Sequence, residues 1–423
     1  MPRVPVLGSR HRFKPSGGSV RHPALRLYTV LFLLCAALGA GASDGPSFEA
    51  CVADLGTRAA AEGIQEPIWR KAVARTAPVP RVLELDRSQP EFTTPFGRYF
   101  GLRVSPGRIE TGRQQFKDRR ALLQRVYQES GVPGHYLVAF WGLETNFGSY
   151  LGKMPLLGSL ATLACDPRRA EFFASQWLDA VRLLERGDLT FDRLESSWAG
   201  ALGHVQFMPS VYLRYAEDGD GDGRVDLFGS VDDAMVSAGA FLQGLGWVRG
   251  ERWGREVSLP EGFDYGVAGR QKRRSLAAWG ELGVRQSDGA PLPVADLDAA
   301  LLVPSGHQGP AFLVYRNFDV IMGWNRSEFY ALSVGILADA LAGGARLSRA
   351  PPDDELRLSM DQVSALQQSL VEGGHLTGAV DGLFGPATRA ALARAEAALG
   401  LIADGPPDAR TLAALGLNLS PQP

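Results

Sequence analysis

The chain has 423 residues, of which 45% are hydrophobic and 21% charged, with 50 Gly and 27 Pro: globular composition with room for two or three domains and many loops, which excludes a disordered or fibrous protein. The formal net charge is −2; without the six cationic residues of the N-terminal leader described next, 38 Lys+Arg face 46 Asp+Glu and the charge is −8, which disfavours nucleic acid as a partner. The histidines, at 11, 22, 135, 204, 307 and 375, are scattered, and there is no Gly-rich phosphate loop or serine nucleophile elbow, so metal-dependent, nucleotide and serine-hydrolase chemistry find no motif.

Residues 1–42 read as a signal peptide. Arg3, Arg10, Arg12, Lys14, Arg21 and Arg26 precede an apolar run without acidic residues from Leu27 to Leu38, and Ala40-Gly41-Ala42 supplies the small-x-small pattern of a cleavage point. The run is short for a bilayer span, an uncleaved anchor being the competing reading. Cys35 follows Leu34, not the small residue that a lipoprotein signal requires. Export places the mature chain in the periplasm, soluble or associated with the outer membrane or cell wall. There Cys51 and Cys165 remain, and a disulfide between them and two separately buried thiols both stay open.

Residues 43–345 read as one large, mainly α-helical domain, with helical spacing of apolar residues clearest over 113–130, 136–145, 170–187, 231–245 and 326–341. From about 250 to 314 the chain turns Gly- and Pro-rich, with β-prone pieces at 301–304 and 312–315 that predict a small irregular or β lobe. Residues 346–356, with Pro351-Pro352 and following acids, have linker composition. A small three-helix domain is expected over 357–418, from helix signals at 360–372 and 386–399 and the turn residues between them.

Chemistry concentrates in three stretches. In 135–148, Leu137, Phe140, Trp141 and Glu144 share one helical face, so a carboxyl projects from an apolar stripe. Desolvation raises a carboxyl pKa, and a proton retained near neutrality is what a general acid needs; a core-edge glutamate paired with an arginine is the bland alternative. In 196–210, small residues around Ser197 and Gln206 let a polymer approach the backbone, and those two side chains can hydrogen-bond sugar hydroxyl or acetamido groups; a tight helix contact would select the same small residues. In 218–226, Asp218, Asp220 and Asp222, with Gly223 at position 6 and the Arg224 carbonyl at 7, form a calcium-loop pattern, although Gly229 stands where position 12 wants a glutamate.

Glu144 followed by Gly148, together with Gly200-Ala201-x-Gly203-x-x-Gln206-Phe207-Met208-Pro209-Ser210, resembles the lytic murein transglycosylase B family, with further agreement at Gly244-Leu245-Gly246-Trp247, Asn317-Phe318, Asn325 and Tyr330. The resemblance implies a lysozyme-like fold with Glu144 as the single catalytic acid/base, and Ser197, Gln206, Met208, Asn317, Asn325 and Tyr330 as substrate contacts. It implies cleavage between N-acetylmuramic acid (MurNAc) and N-acetylglucosamine (GlcNAc) without water, giving 1,6-anhydro-MurNAc ends in cell-wall remodelling and recycling. There is no organic cofactor in this reading, and a structural Ca2+ would take Asp232 as its last ligand, with Asp226 the alternative. His204-Val205 and Arg316 depart from the family pattern beside the substrate contacts that the resemblance implies. Val363-x-x-Leu366-Gln367 and Asp381-Gly382-x-Phe384-Gly385-Pro386 resemble the type 1 peptidoglycan-binding domain, with Ala395-Glu396 as a departure that predicts weak carbohydrate affinity. Peptidoglycan strands are the expected partner, a monomer the expected state, and cell-wall synthesis or division proteins candidate associates. Lysozyme-type hydrolysis and an inactive peptidoglycan-binding scaffold are the competing functions.

Overall fold

A computed structural model describes residues 47–87 and 94–417; the expected leader lies outside the described residues. Its centre is the helix Gly134–Thr145, in which every residue from Tyr136 to Leu143 is buried. The single apolar stripe expected there is therefore corrected. The helix is apolar all round because the helices Pro106–Asp118, Arg120–Ser130, Val231–Gly244 and Glu328–Leu341 surround it, which is what an all-round apolar sequence requires.

The helix predicted over 113–130 is two helices, broken at Arg119. The backbone leaves helical geometry there (φ −103°, ψ 20°), and the guanidinium lies 5.2 Å from the Trp141 ring centroid. Apolar spacing does not register so short a break. The segments expected over 170–187, 231–245 and 326–341 appear as Ala170–Arg186, Val231–Gly244 and Glu328–Leu341.

The N-terminal helices Phe48–Ala61, Glu66–Ala74 and Arg81–Arg87 wrap the pair Leu156–Ala164 and Ala170–Arg186. Cys51 and Cys165 are joined by a disulfide across 114 residues. Arg168 and Arg169, both still partly open to solvent, reach the buried Asp86 carboxylate, so this arginine pair anchors the wrap.

The lobe after residue 250 holds a five-stranded antiparallel sheet in the order Arg273–Ser275, Asp298–Leu302, Ala311–Val314, Gly254–Ser258, Arg285–Gln286. Its two middle apolar strands read as continuous hydrophobic runs because both faces are covered. Ala300, Leu302, Phe312 and Val314 enter the main core, while Ala299, Leu301, Ala311 and Leu313 enter a second core with Leu276 and Trp279.

The C-terminal helices Met360–Glu372, Pro386–Ala398 and Ala409–Ala414 enclose a third core. The Gln367 amide, buried inside it, accepts from the backbone N–H groups of Asp381 and Gly382 and donates to Asp381 Oδ1 and Thr388 Oγ1, which ties the Asp381-Gly382 turn to the first helix. Glu396 is fully buried, accepting from Gly405 N and Thr411 Oγ1, and burial pushes its pKa up to about 8. The Ala395-Glu396 departure is thus internal.

This small unit sits directly on the larger one. Glu355 accepts from Gly97 N at 2.5 Å, Asp404 accepts from His307 N at 2.6 Å, and Arg389 donates to the Pro304 carbonyl at 3.0 Å while lying between the Phe329 and Phe384 rings. Segment 346–356 is consequently packed at its acidic end. Replacing both Cys51 and Cys165 by Ser is expected to cost at most about 4–5 kcal/mol, by the loop-closure argument, and to lower the urea midpoint; an unchanged midpoint would show that packing alone holds the N-terminal helix.

Candidate active site

Glu144 occupies the last turn of the central helix, and the backbone after it is unusual. Asn146 (φ 49°), Phe147 (φ 58°) and Gly148 (φ 79°) are successively left-handed, a strained run that turns the chain sharply out of the helix. Tertiary contacts hold it. The Phe147 ring folds back onto Gly142, where a Cβ would lie 2.7 Å from the ring, and meets Trp141 edge-on. Thr145 Oγ1 accepts from Gly148 N at 3.0 Å and donates to the His204 carbonyl at 2.8 Å.

His204 connects this turn to the second motif. Its Nδ1 accepts from the Trp141 indole at 3.1 Å, and its ring lies so close to Gly148 that a Cβ there would come within 2.3 Å. His204 is 9% exposed and Val205 fully buried; burial, the main cause, also lowers the imidazole pKa. The His204-Val205 departure is therefore an internal brace and not a substrate contact.

The Glu144 carboxyl receives two hydrogen bonds, both on Oε1: from the Tyr330 hydroxyl and from Trp324 Nε1 at 2.9 Å. Trp324 is held by a 4.4 Å stack on Phe140 and by Phe207 and Phe241. Desolvation raises the Glu144 pKa to about 7, against the lowering effect of Tyr330, Trp324 and the charge of Arg103. Burial wins, so the group keeps its proton to near neutrality. The same burial, with the adjacent carboxyl, raises the Tyr330 pKa well above its ordinary value and leaves that hydroxyl neutral.

The other expected contacts divide. Ser197, Gln206 and Met208 lie on the loop that His204 locks beneath the Glu144 turn, all partly accessible. Ser197 Oγ accepts from Ala201 N. Gln206, itself left-handed (φ 50°), donates through Nε2 to the Leu151 and Gly203 carbonyls, so its amide nitrogen braces the loop where a donor to sugar was expected. Asn325 ends the helix Arg316–Trp324 and accepts from Ser327 N, remaining partly accessible. Asn317 is a correction: it is fully buried, accepting from Val248 N and donating to the Val248 and Glu251 carbonyls, so it ties the Gly246-Trp247 turn to the sheet lobe and cannot reach a ligand. Arg316 is exposed beside Glu251 at 3.7 Å. Trp324 and Arg103 were not anticipated. Trp324 directly precedes Asn325 in the block that ends at Tyr330, which is the one signal that could have found it, whereas Arg103 lies in a separate helix, Phe96–Arg103, with no motif.

The acidic loop folds on itself. Asp218, Asp220 and Asp222 each offer a carboxylate oxygen within 4.8 Å of the others; they accept from loop N–H groups at Gly221, Gly223, Asp222 and Arg224, and Asp220 Oδ2 also accepts from Ser230 Oγ. Three hard oxygen donors on such a turn fit calcium. Asp232 lies outside this group, 3.6 Å from Arg125; Asp233, nearly fully buried, ties the loop ends by accepting from Gly219 N and Asp226 N.

The fold is lysozyme-like and mainly helical, and the last turn of its central helix carries a carboxyl whose pKa burial raises to about 7. The chain belongs to the transglycosylase SLT domain family, whose model matches residues 47–339, and residues 359–415 match the putative peptidoglycan binding domain. It is a peptidoglycan lytic transglycosylase. It is 32% identical over 256 residues to the membrane-bound lytic murein transglycosylase B of Escherichia coli (strain K12), a match covering 58% of this chain and 67% of that protein. SltB3 of Pseudomonas aeruginosa, solved in complex with NAG-anhNAM-pentapeptide, is 41% identical with a TM-score of 0.83, over 88% of this chain and 100% of that one. The Escherichia coli lytic transglycosylase Slt35, solved in complex with calcium, is 27% identical with a TM-score of 0.61, over 70% of this chain and 95% of that one.

Gly148→Ala is expected to destabilise the fold by at least about 1–2 kcal/mol, from left-handed strain and the clash with the His204 ring. Adding His204→Ala relieves only the clash, so a double-mutant cycle in urea should show a favourable coupling; strict additivity would mean that the two motifs are not locked through this contact.

Proposed function

We propose that Glu144 is the acid/base of the cleavage reaction. The observation that carries this is the carboxyl's pKa of about 7 at a position where its hydrogen-bond partners are Tyr330 and Trp324 and not a second carboxylate. A hydrolase would ordinarily use a carboxylate pair. With one group, the reaction runs as proton transfer from Glu144 to the oxygen linking MurNAc to GlcNAc. The C1–O bond breaks with assistance from the muramyl acetamido group, and the sugar's own C6 hydroxyl then adds to C1. Glu144 takes the hydroxyl proton back, and the product is a 1,6-anhydro-MurNAc end. Holding the nucleophile on the substrate replaces the ordering of a water by an intramolecular attack. Ser197, Gln206, Met208 and Asn325 orient the sugar, whereas Tyr330, expected as a substrate contact, is buried and holds the Glu144 carboxyl instead.

Export to the periplasm, by cleavage after Ala42, fits this substrate. Residues 43–345 act as the catalytic domain, 346–356 connect it to the binding domain at 357–418, and the docking of that domain presents one rigid surface to the strand. Calcium is held by Asp218, Asp220, Asp222 and the Arg224 carbonyl, supported by the convergence of the three carboxylates and by the calcium complex of Slt35. Asp232 would join only by leaving Arg125. The ion supplies loop rigidity, not chemistry.

Digestion of purified sacculi with the chain from residue 43 onward should release muropeptides lighter by one water than hydrolysis products, and Glu144→Gln should lower the rate by about 10²–10⁴. Hydrated products would make the enzyme a lysozyme-type muramidase, and an active Gln variant would remove Glu144 from the mechanism. Calcium should raise the melting temperature and chelation reverse it, an effect lost in Asp218→Asn/Asp220→Asn; a calcium-insensitive melting temperature would show that the loop stands without the ion.

A further inference from the structure

Both hydrogen bonds to Glu144 fall on the same oxygen, and the two donors differ chemically. A phenol can donate or accept, so Tyr330 alone would tolerate the carboxyl proton on either oxygen: with the proton on Oε1 it would simply rotate its hydroxyl and accept. An indole N–H can only donate. Because a carbonyl oxygen is the better acceptor than the hydroxyl oxygen of a carboxylic acid, the Trp324 N–H favours the arrangement in which Oε1 is the carbonyl and Oε2 carries the proton. The indole has little freedom to turn away, being stacked at 4.4 Å on Phe140 and flanked by Phe207 and Phe241 with ring centroids at 5.4 and 5.2 Å.

We propose that Trp324 is a positioning residue that fixes the proton of Glu144 on Oε2, so that Oε2 alone exchanges protons with the substrate in both halves of the reaction. This rests on Glu144 as the acid/base. In the first half the Oε2–H bond breaks as the proton goes to the departing GlcNAc oxygen and the C1–O bond opens. In the second, the C6 hydroxyl oxygen bonds to C1 and its proton returns to Oε2. Oε1 keeps its two donors throughout, so neither Tyr330 nor Trp324 has to reorganise while charge develops on the carboxylate. The groups facing Glu144 are Tyr330, Trp324 and the cation of Arg103, with Tyr99 behind Tyr330; of these, Trp324 and Tyr330 are the hydrogen-bond donors to the carboxyl.

The test is Trp324→Phe, which retains an aromatic ring against Phe140 and removes the N–H, compared with wild type and Glu144→Gln on a soluble glycan fragment. The expected result is a fall in kcat of about tenfold with KM unchanged, and an alkaline limb of the kcat profile displaced upward in pH, because an ionised carboxylate loses a donor. A merely structural role would lower stability without moving that limb. Infrared difference spectra between wild type and Glu144→Gln isolate the protonated carboxyl, whose C=O stretch should rise in frequency when Trp324 no longer donates; this readout serves even if the Phe variant is too inactive for kinetics. Unchanged kcat, pH limb and C=O frequency, in a background where Glu144→Gln is inactive, would overturn the role of Trp324 while leaving Glu144 in place. An active Glu144→Gln would overturn both.

Discussion

The structure depends on the cost of holding a carboxyl in apolar surroundings. Glu144 lies in the last turn of a helix whose preceding residues are buried on all sides, and its carboxyl sits against the Trp324 indole and the Tyr330 ring. That desolvation outweighs two hydrogen bonds and a nearby cation, leaving a pKa of about 7. Much of the larger domain serves to keep this arrangement. Four helices exclude water from the central one, the Phe140, Phe207 and Phe241 rings fix Trp324, and the helix Glu328–Leu341 delivers Tyr330.

Holding such a group in place also uses backbone strain. Three consecutive left-handed residues follow Glu144, and Gln206 adds a fourth on the facing loop. Strained residues of this kind persist where their surroundings over-determine them. Here the over-determination runs through His204, which receives the Trp141 indole, accepts from Thr145 through its carbonyl, and fills the space that a side chain at residue 148 would need. The two motifs are one mechanical unit, and residues inside it that look like ligand contacts are partly its internal fastenings. Asn317 and the Gln206 amide nitrogen belong to the same category of polar groups turned inward.

The smaller domain is more than a tether. Arg389 reaches from it to the Pro304 carbonyl and lies against Phe329, the neighbour of Tyr330 in the helix that contacts Glu144. The position of the smaller domain and that of the helix carrying Tyr330 are thereby mechanically linked.

The sequence by itself determined the class of fold, the main helices, the motif carboxyl, the acidic loop and the family, because each is written in local spacing: apolar periodicity, Gly and Pro at turns, and residues a few positions apart. The covered sheet was legible only as two apolar runs, since burial on both faces erases the alternation that marks a strand. Whether Cys51 meets Cys165, and which of the motif's polar residues face a ligand, was decided by packing. Asn317 and Ser197 look equally polar on paper, yet one is saturated by backbone groups in the interior and the other is partly accessible beside the site. Trp324 is 180 residues from Glu144 and Arg103 lies in another helix, so their bearing on one carboxyl has no local trace. Only tertiary structure brings a distant indole N–H to a chosen oxygen, because its direction is set by the rings packed around it and not by its neighbours in the chain.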